Sequence, residues 1–467
     1  MDDWLRRIGE FATAVSYEDL PADVVGAAKE RLLDSLGCAV GALGVPGGCP
    51  PAEIGRSVAT TPGRPEGCGW VVGSAEPLSA ESAAFVNGCL IRYLDFSDTY
   101  PGHHPSDALG AIFAVAPAVG ASGRQLITAL AISYEISIRL IRSGRFNTRG
   151  WDNGYSTGIG AAAATARLMG LDRDQVCHAI AITATANMPL RATRSGQLSM
   201  WKGAATAYSV RDAVFAAQLA GQGMTGPEAP FTGRHGVMDL ITGPMDLEAF
   251  GTEGGQYLLP KVKLKYWPLV HNMQPLVWAG LKLRRQLAGR TATRIEVFTV
   301  SNAKRESGSE PEKWDPRTRE TADHSAPYIL AHVLRHGTIG HAAFEPEAFL
   351  DPTLRPEMQR IEIVADDSID AVYPDTVRMR VVAADEDGRQ HDIEIINPLG
   401  HDKNPMTSED IEAKFSRLAS PLLPAGQIRR AIDTWREVEA TDAATALGTV
   451  TVSAPPGPGP RAGDSHA

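Results

Sequence analysis

The chain has 467 residues and a formal net charge of −10, with 43% hydrophobic and 21% charged residues. This is an ordinary globular composition, long enough for two domains. The acidic balance argues against nucleic acid or an anionic membrane as partners. An acidic protein that handles a polyanion needs cations concentrated locally against its own field. The five cysteines (Cys38, Cys49, Cys68, Cys89, Cys177) are scattered, without a Cys-x-x-Cys pair. They predict a reducing compartment, no disulfide framework and no ligand set for an iron–sulfur cluster.

In chain order, Met1-Asp-Asp-Trp-Leu-Arg-Arg lacks a cationic segment followed by an apolar run, so a cytoplasmic protein is expected. Apolar residues three and four apart predict helix from Pro21 to Gly37, and again over Gln125–Ile141 and Val210–Leu219. Gly158–Met169 and Cys177–Ala186 are rich in Ala and Gly, which suits helices that approach closely in a core. The run Ala108–Ala121 contains Pro117 and is too short to span a bilayer. Near residue 290 the character changes. Thr293–Ser301, Arg360–Val364 and Thr376–Ala383 are rich in Val, Ile and Thr, and Asp385-Glu-Asp-Gly388 then leads into His391–Ile396 as a hairpin. Ser325–Leu334 reads as helix between strands. Helix returns after Pro405, capped at Ser408 and continuing through Gln427–Val438. The expected fold is mainly α: a large, split all-helical domain (1–266 and 401–447) with an inserted, smaller α+β domain (267–400). A disordered tail is expected over 453–467, where Pro, Gly and charge dominate.

The most informative stretch is Arg92-Tyr-Leu-Asp-Phe-Ser-Asp-Thr-Tyr-Pro-Gly-His-His-Pro-Ser-Asp-Ala-Leu-Gly110. It sets Asp95, Asp98 and Asp107 beside His103, His104 and Thr99 in a turn-rich segment flanked by apolar helix. Such a segment could be no more than a capped loop. It also holds what proton transfer near neutral pH requires, an imidazole beside carboxylates. Metal-ligand spacing is not evident, and Gly154–Gly160 lacks the strand context of a dinucleotide fingerprint.

Asp95-Phe-Ser-Asp-Thr-Tyr followed by His104-Pro-Ser-Asp-Ala-Leu-Gly resembles the signature of the MmgE/PrpD family. The likeness continues through Trp201-Lys-Gly, Lys263-Leu-Lys-Tyr-Trp-Pro268, Thr321-Ala-Asp-His-Ser-Ala-Pro-Tyr328 and Asn404-Pro-Met. The family includes 2-methylcitrate dehydratases, cis-aconitate decarboxylases and an epimerase of an imino-dicarboxylate. The resemblance implies a small polycarboxylate substrate, no cofactor, a homodimer and a helical domain with a lid. It also implies catalytic roles for Asp95, Thr99, His104, Lys202 and Lys265, with His103, His271 and Tyr328 as substrate contacts. His104 is preferred over His103 because it precedes Pro105. His103 and Lys263 are expected at solvated positions, and His324 on the helix face of Tyr328, four residues before it. Decarboxylase members carry a His where this chain has Trp151, followed by Asp152-Asn153, and a Lys where it has Gln197-Leu198. The spacer Tyr100-Pro-Gly-His looks shorter than in some dehydratase members. The balance points to a hydro-lyase acting on a 2-methylcitrate-like tricarboxylate. Decarboxylation or epimerisation is the alternative, and a non-catalytic binding protein fits poorly with so complete a residue set.

Overall fold

The computed structural model describes residues 1–59, 68–74, 76–144 and 146–452. The tail expected to be disordered lies outside the described residues. With 58% helix against 10% strand, the fold is mainly α. No helix among the described residues is long and apolar enough to cross a membrane.

The helices run longer than the sequence signals suggest. The first predicted helix spans Ala22–Leu43, passing through Gly37 instead of ending near it. Gly37 is tolerated mid-helix because a Cβ there would sit 3.1 Å from the Phe415 ring, so the glycine admits a crossing helix. The same reasoning explains the Ala- and Gly-rich helix Gly154–Leu168. A Cβ on Gly160 would lie 2.5 Å from the Ser133 carbonyl oxygen of the neighbouring helix Gly123–Gly144. Small residues thus let backbones touch and bury nearly all of that helix.

Four strands form the one extended sheet among the described residues, in the order Ile361–Ala365, Ala292–Thr299, Arg378–Asp385, Gln390–Ile396. The first pair is parallel and the others antiparallel. Gln390–Ile396 alternates exposed and buried along its whole length, so the sheet covers a core on one face only. Gly388, at φ 78°, makes the hairpin turn, and Asp385 accepts from the Asp387 and Arg389 amides.

Apolar side chains collect in two cores. One draws on Trp4 through Leu264 and on Met406 through Val450, and the other on Leu269 through Ile395. The returning helix Ser408–Ala419 packs on Ala22–Leu43. Its N-cap is Thr407, one residue before the predicted Ser408, in a reciprocal capping box with Asp410.

Three local features position the site. The helix Ala80–Tyr93 ends just before Asp95, which takes a left-handed conformation (φ 45°) after the Leu94 cap. Asp is one of the few side chains that accepts this region readily. The next residues, Asp98–Thr99, pair antiparallel with Lys263–Leu264, aligning Asp98 with Leu264 and Thr99 with Lys263. That two-residue ladder brings Lys265 back to Asp95 across 170 positions. Farther along the chain, the Val270 amide donates to the Asp323 carbonyl at 3.1 Å, holding the segment before Ala326–His336 against the one that follows Lys265.

Candidate active site

Asp95 lies at the centre. Its carboxylate accepts from Lys265 Nζ at 2.8 Å, with Lys202 Nζ at 3.5 Å and Arg92 at 3.4 Å. Lys265 also donates to the Asp95 carbonyl at 3.0 Å, which leaves one of its three N–H bonds uncommitted. Lys202 bridges onward to Asp323 at 3.1 and 3.2 Å, and Asp323 is bonded to His324 Nδ1. Asp95, Asp323, Lys202 and Lys265 are all buried. Burial alone would raise the Asp95 pKa, but Lys202, Lys265, Arg92 and His324 together hold it well below the usual carboxylate range. Burial lowers Lys265 to about 8, against the opposing pull of Asp95. A lysine ammonium in that range can give up a proton near neutral pH.

One cavity opens beside this cluster. Asp95, Thr99, His103, His104, Lys265, His271 and His324 line it, so most of the residues expected to form the site converge. His104 Nδ1 lies 2.9 Å from the Asp98 carbonyl oxygen, which can only accept. The ring therefore carries its proton on Nδ1 and leaves Nε2 as a lone pair. Burial, with Arg92 and Lys265 nearby, pushes the His104 pKa well down and keeps the ring neutral. His103 follows the same pattern. Thr157 Oγ1 uses its hydrogen on the Asn153 carbonyl at 3.0 Å, so it accepts from His103 Nδ1 at 3.5 Å. The Thr99 hydroxyl donates to the His103 carbonyl at 3.4 Å.

Several expectations need correcting. His103 is buried, not solvated, and its pKa is lowered to about 3 by that burial. Lys263 is buried too, because pairing with Thr99 places it inside the ladder, and burial lowers it to about 8. Lys202 sits behind Asp95 and Asp323 and is not part of the cavity wall. Tyr328 does not reach the cavity. It is fully buried in the second core and donates its hydroxyl to the Ala343 carbonyl. His324 is not on the helix of Tyr328, which spans Ala326–His336 and is capped by Ser325. It lies before that cap, which is what allows it to face Asp95 at 3.9 Å.

Sequence reasoning also missed a set of cations and amides. Arg92, Arg191, Arg194 and Lys313 line the cavity together with Asn153 and Asn272. Arg194 pairs with the buried Asp152 at 2.8 Å and reaches Asn153 at 3.3 Å. The departure at Trp151-Asp152-Asn153 thus supplies a salt bridge and an amide in place of an imidazole. Arg92 Nε and Nη1 and Asn153 Nδ2 are buried donors without a hydrogen-bond partner among the described residues. The cavity wall holds five Lys or Arg residues against Asp95 and Glu306 as its only acids, in a protein of net charge −10. Such a local reversal of charge suits a polyanionic ligand.

Asp95, Asp323 and His324 bring ligand atoms within 4.8 Å of one another, as a metal site would. The cation position among them is already filled, because Lys202 Nζ contacts both carboxylates. A divalent ion would have to displace a buried ammonium, so this group fits a salt-bridge network better than a metal centre.

The N-terminal domain of the MmgE/PrpD family matches residues 6–249, and its C-terminal domain matches residues 267–438. The chain belongs to the MmgE/PrpD family. The 2-methylcitrate dehydratase of Cupriavidus necator is 27% identical over 433 residues, covering 84% of this chain and 86% of that protein. The 2-methylcitrate dehydratase of Escherichia coli is 27% identical over 427 residues, covering 83% and 84%. The cis-aconitate decarboxylase-like protein oryM of Aspergillus oryzae is 26% identical over 449 residues, covering 90% and 91%. Identities this close do not separate dehydration from decarboxylation, so the reaction has to be argued from the site.

Proposed function

We propose that this enzyme, a lyase, removes water from a 2-methylcitrate-like tricarboxylate to form an alkene acid, without a cofactor. The observation that carries the reading is the cation-rich cavity in which a neutral His104 and a buried Lys265 face the same space. In the proposed reaction His104 Nε2 takes a proton from carbon next to a substrate carboxylate. The electrons of that C–H bond form the double bond as the C–O bond breaks. Lys265 gives a proton to the departing hydroxyl, which leaves as water. His104 then carries the proton gained and Lys265 lacks one, and exchange with solvent restores both. Charge building on the carboxylate is met by Arg92 and the remaining cations, already oriented by Asp95 and Asp152.

Decarboxylation or epimerisation is the second reading, supported by the likeness to the cis-aconitate decarboxylase-like relative. The Arg194–Asp152 pair beside Trp151 weighs against it, since a family decarboxylase is expected to place an imidazole there. The proposal extends to residues 267–400 acting as a lid over the cavity, to a cytoplasmic location and to a homodimer. Trp201, Tyr208 and Phe215, seven residues apart on one helix and each more than two-fifths exposed, form the stripe that a second copy would cover.

Chelator-treated protein incubated with 2-methylcitrate tests the reaction by the rise of alkene absorbance. Turnover of another acid with none of 2-methylcitrate would end this version.

A further inference from the structure

Two lysines are among the largest fully buried side chains of the protein, Lys265 and Lys313. Their surroundings differ sharply. Lys265 has Asp95 at 2.8 Å. Lys313 has its nearest carboxylate, Glu310, at 4.0 Å and about one-third exposed, with Asp323 and Glu312 attracting it from farther off and Lys202 repelling it. An ammonium buried with so little compensation is costly unless something else supplies negative charge. Burial accordingly pushes the Lys313 pKa down.

Its place in the fold shows what could supply that charge. Lys313 ends the short turn Pro311–Lys313, and Ser325 Oγ donates to its carbonyl, fixing the backbone. The side chain lines the same cavity as His104 and Lys265, but it comes from the 267–400 part of the chain. Arg92 and Lys265, the cations nearest Asp95, are already partnered to it. Arg191 and Arg194 are likewise paired, with Glu306 and Asp152. Among the described residues that line the cavity, Lys313 is the cation with no carboxylate closer than 4.0 Å.

We propose that Lys313 is a specificity-determining residue that binds one carboxylate of the substrate, and that the ligand it selects carries a carboxylate beyond the two a dicarboxylate offers. This rests on the tricarboxylate reading above. It assigns one anchor in that site to the part of the chain proposed as a lid, so substrate charge would hold the two parts together. No catalytic step is given to Lys313.

The test is Lys313→Met, which keeps length and removes charge, measured by calorimetric binding of two unreactive probes, tricarballylate and glutarate. The expected result is a roughly 10-fold or greater loss of tricarballylate affinity, the size of a lost charge-assisted contact, with glutarate nearly unchanged. The thermal midpoint should hold or rise, because replacing a poorly compensated buried charge by an apolar isostere is neutral or stabilising. Lys313→Arg should retain much of the tricarballylate preference. Equal loss for both probes, no loss for either, or a fall in the thermal midpoint would overturn the assignment. The probes bind without reacting, so the two readings fail separately. Lys313-dependent tricarballylate binding without 2-methylcitrate turnover leaves this inference standing and removes the dehydration. Turnover of 2-methylcitrate with unchanged Lys313→Met affinities does the reverse.

Discussion

Asp95 shows how much one residue can be asked to do. It ends a helix in the left-handed region, which Asp tolerates, and the same turn throws its carboxylate among Lys202, Lys265 and Arg92. Those cations hold Asp95 ionised, while burial sets the protonation states of the neighbouring bases. Lys265 titrates near 8, while His103 and His324 are held by burial near 3 and 4. If Lys265 must be an ammonium to protonate the leaving group, kcat/KM should fall above about pH 8 and stay level on the acid side until well below pH 6. Lys263 also lies near 8, so the limb needs assigning. Lys263→Met should keep it, whereas Lys265→Met should abolish turnover; an unchanged alkaline limb in an active Lys265 variant would refute the role. The stability effect has the opposite sign. Between about 8 and the unfolded value of 10.5, the unfolded chain holds a proton on Lys265 that the folded chain has lost, so this group makes stability rise with pH there. Activity should therefore decline over a window in which this contribution to stability grows.

At the level of elements, the site depends on segments remote in sequence, and this limits what a sequence can reveal. Helix positions, the strands near 290–396 and the turn at Gly388 were legible because periodicity and turn chemistry are local signals. Asp95, His104 and Lys265 were legible through family motifs. Lys313, Arg92 and Asp152 were not, since a lone charged residue is usually solvated and only the tertiary fold buries these. Tyr328 misled for the converse reason: its motif is intact, yet helix Ala326–His336 turns the ring into the second core. The returning helix makes the dependence testable. Lys414 Nζ donates to the carbonyls of Phe96 (2.7 Å) and Lys265 (2.9 Å), and pairs with the buried Asp34 at 2.7 Å. Lys414→Met strands Asp34 and should cost about 3–5 kcal/mol in urea unfolding, the usual penalty for breaking a buried pair. Adding Asp34→Asn should recover part of that loss. If the double variant is no more stable than the single one, the pair does not hold the element in place.

For the whole molecule, charge is the organising quantity. A protein of net charge −10 sets five Lys or Arg residues against two acids along one cavity wall, an arrangement that suits the proposed polyanion. The proposed dimer makes a separate claim about the exposed stripe Trp201, Tyr208 and Phe215. Light scattering should give twice the chain mass at micromolar concentration, and Phe215→Glu should shift it toward one; a stable monomer of the unaltered chain would contradict the dimer. The central claim is the reaction, and product identity tests it most directly. NMR of 2-methylcitrate incubated with chelator-treated protein should show an alkene tricarboxylate forming in step with substrate loss, with all three carboxylates retained and no carbon dioxide released. Carbon dioxide appearing from a tricarboxylate, with no alkene tricarboxylate from 2-methylcitrate, would contradict it.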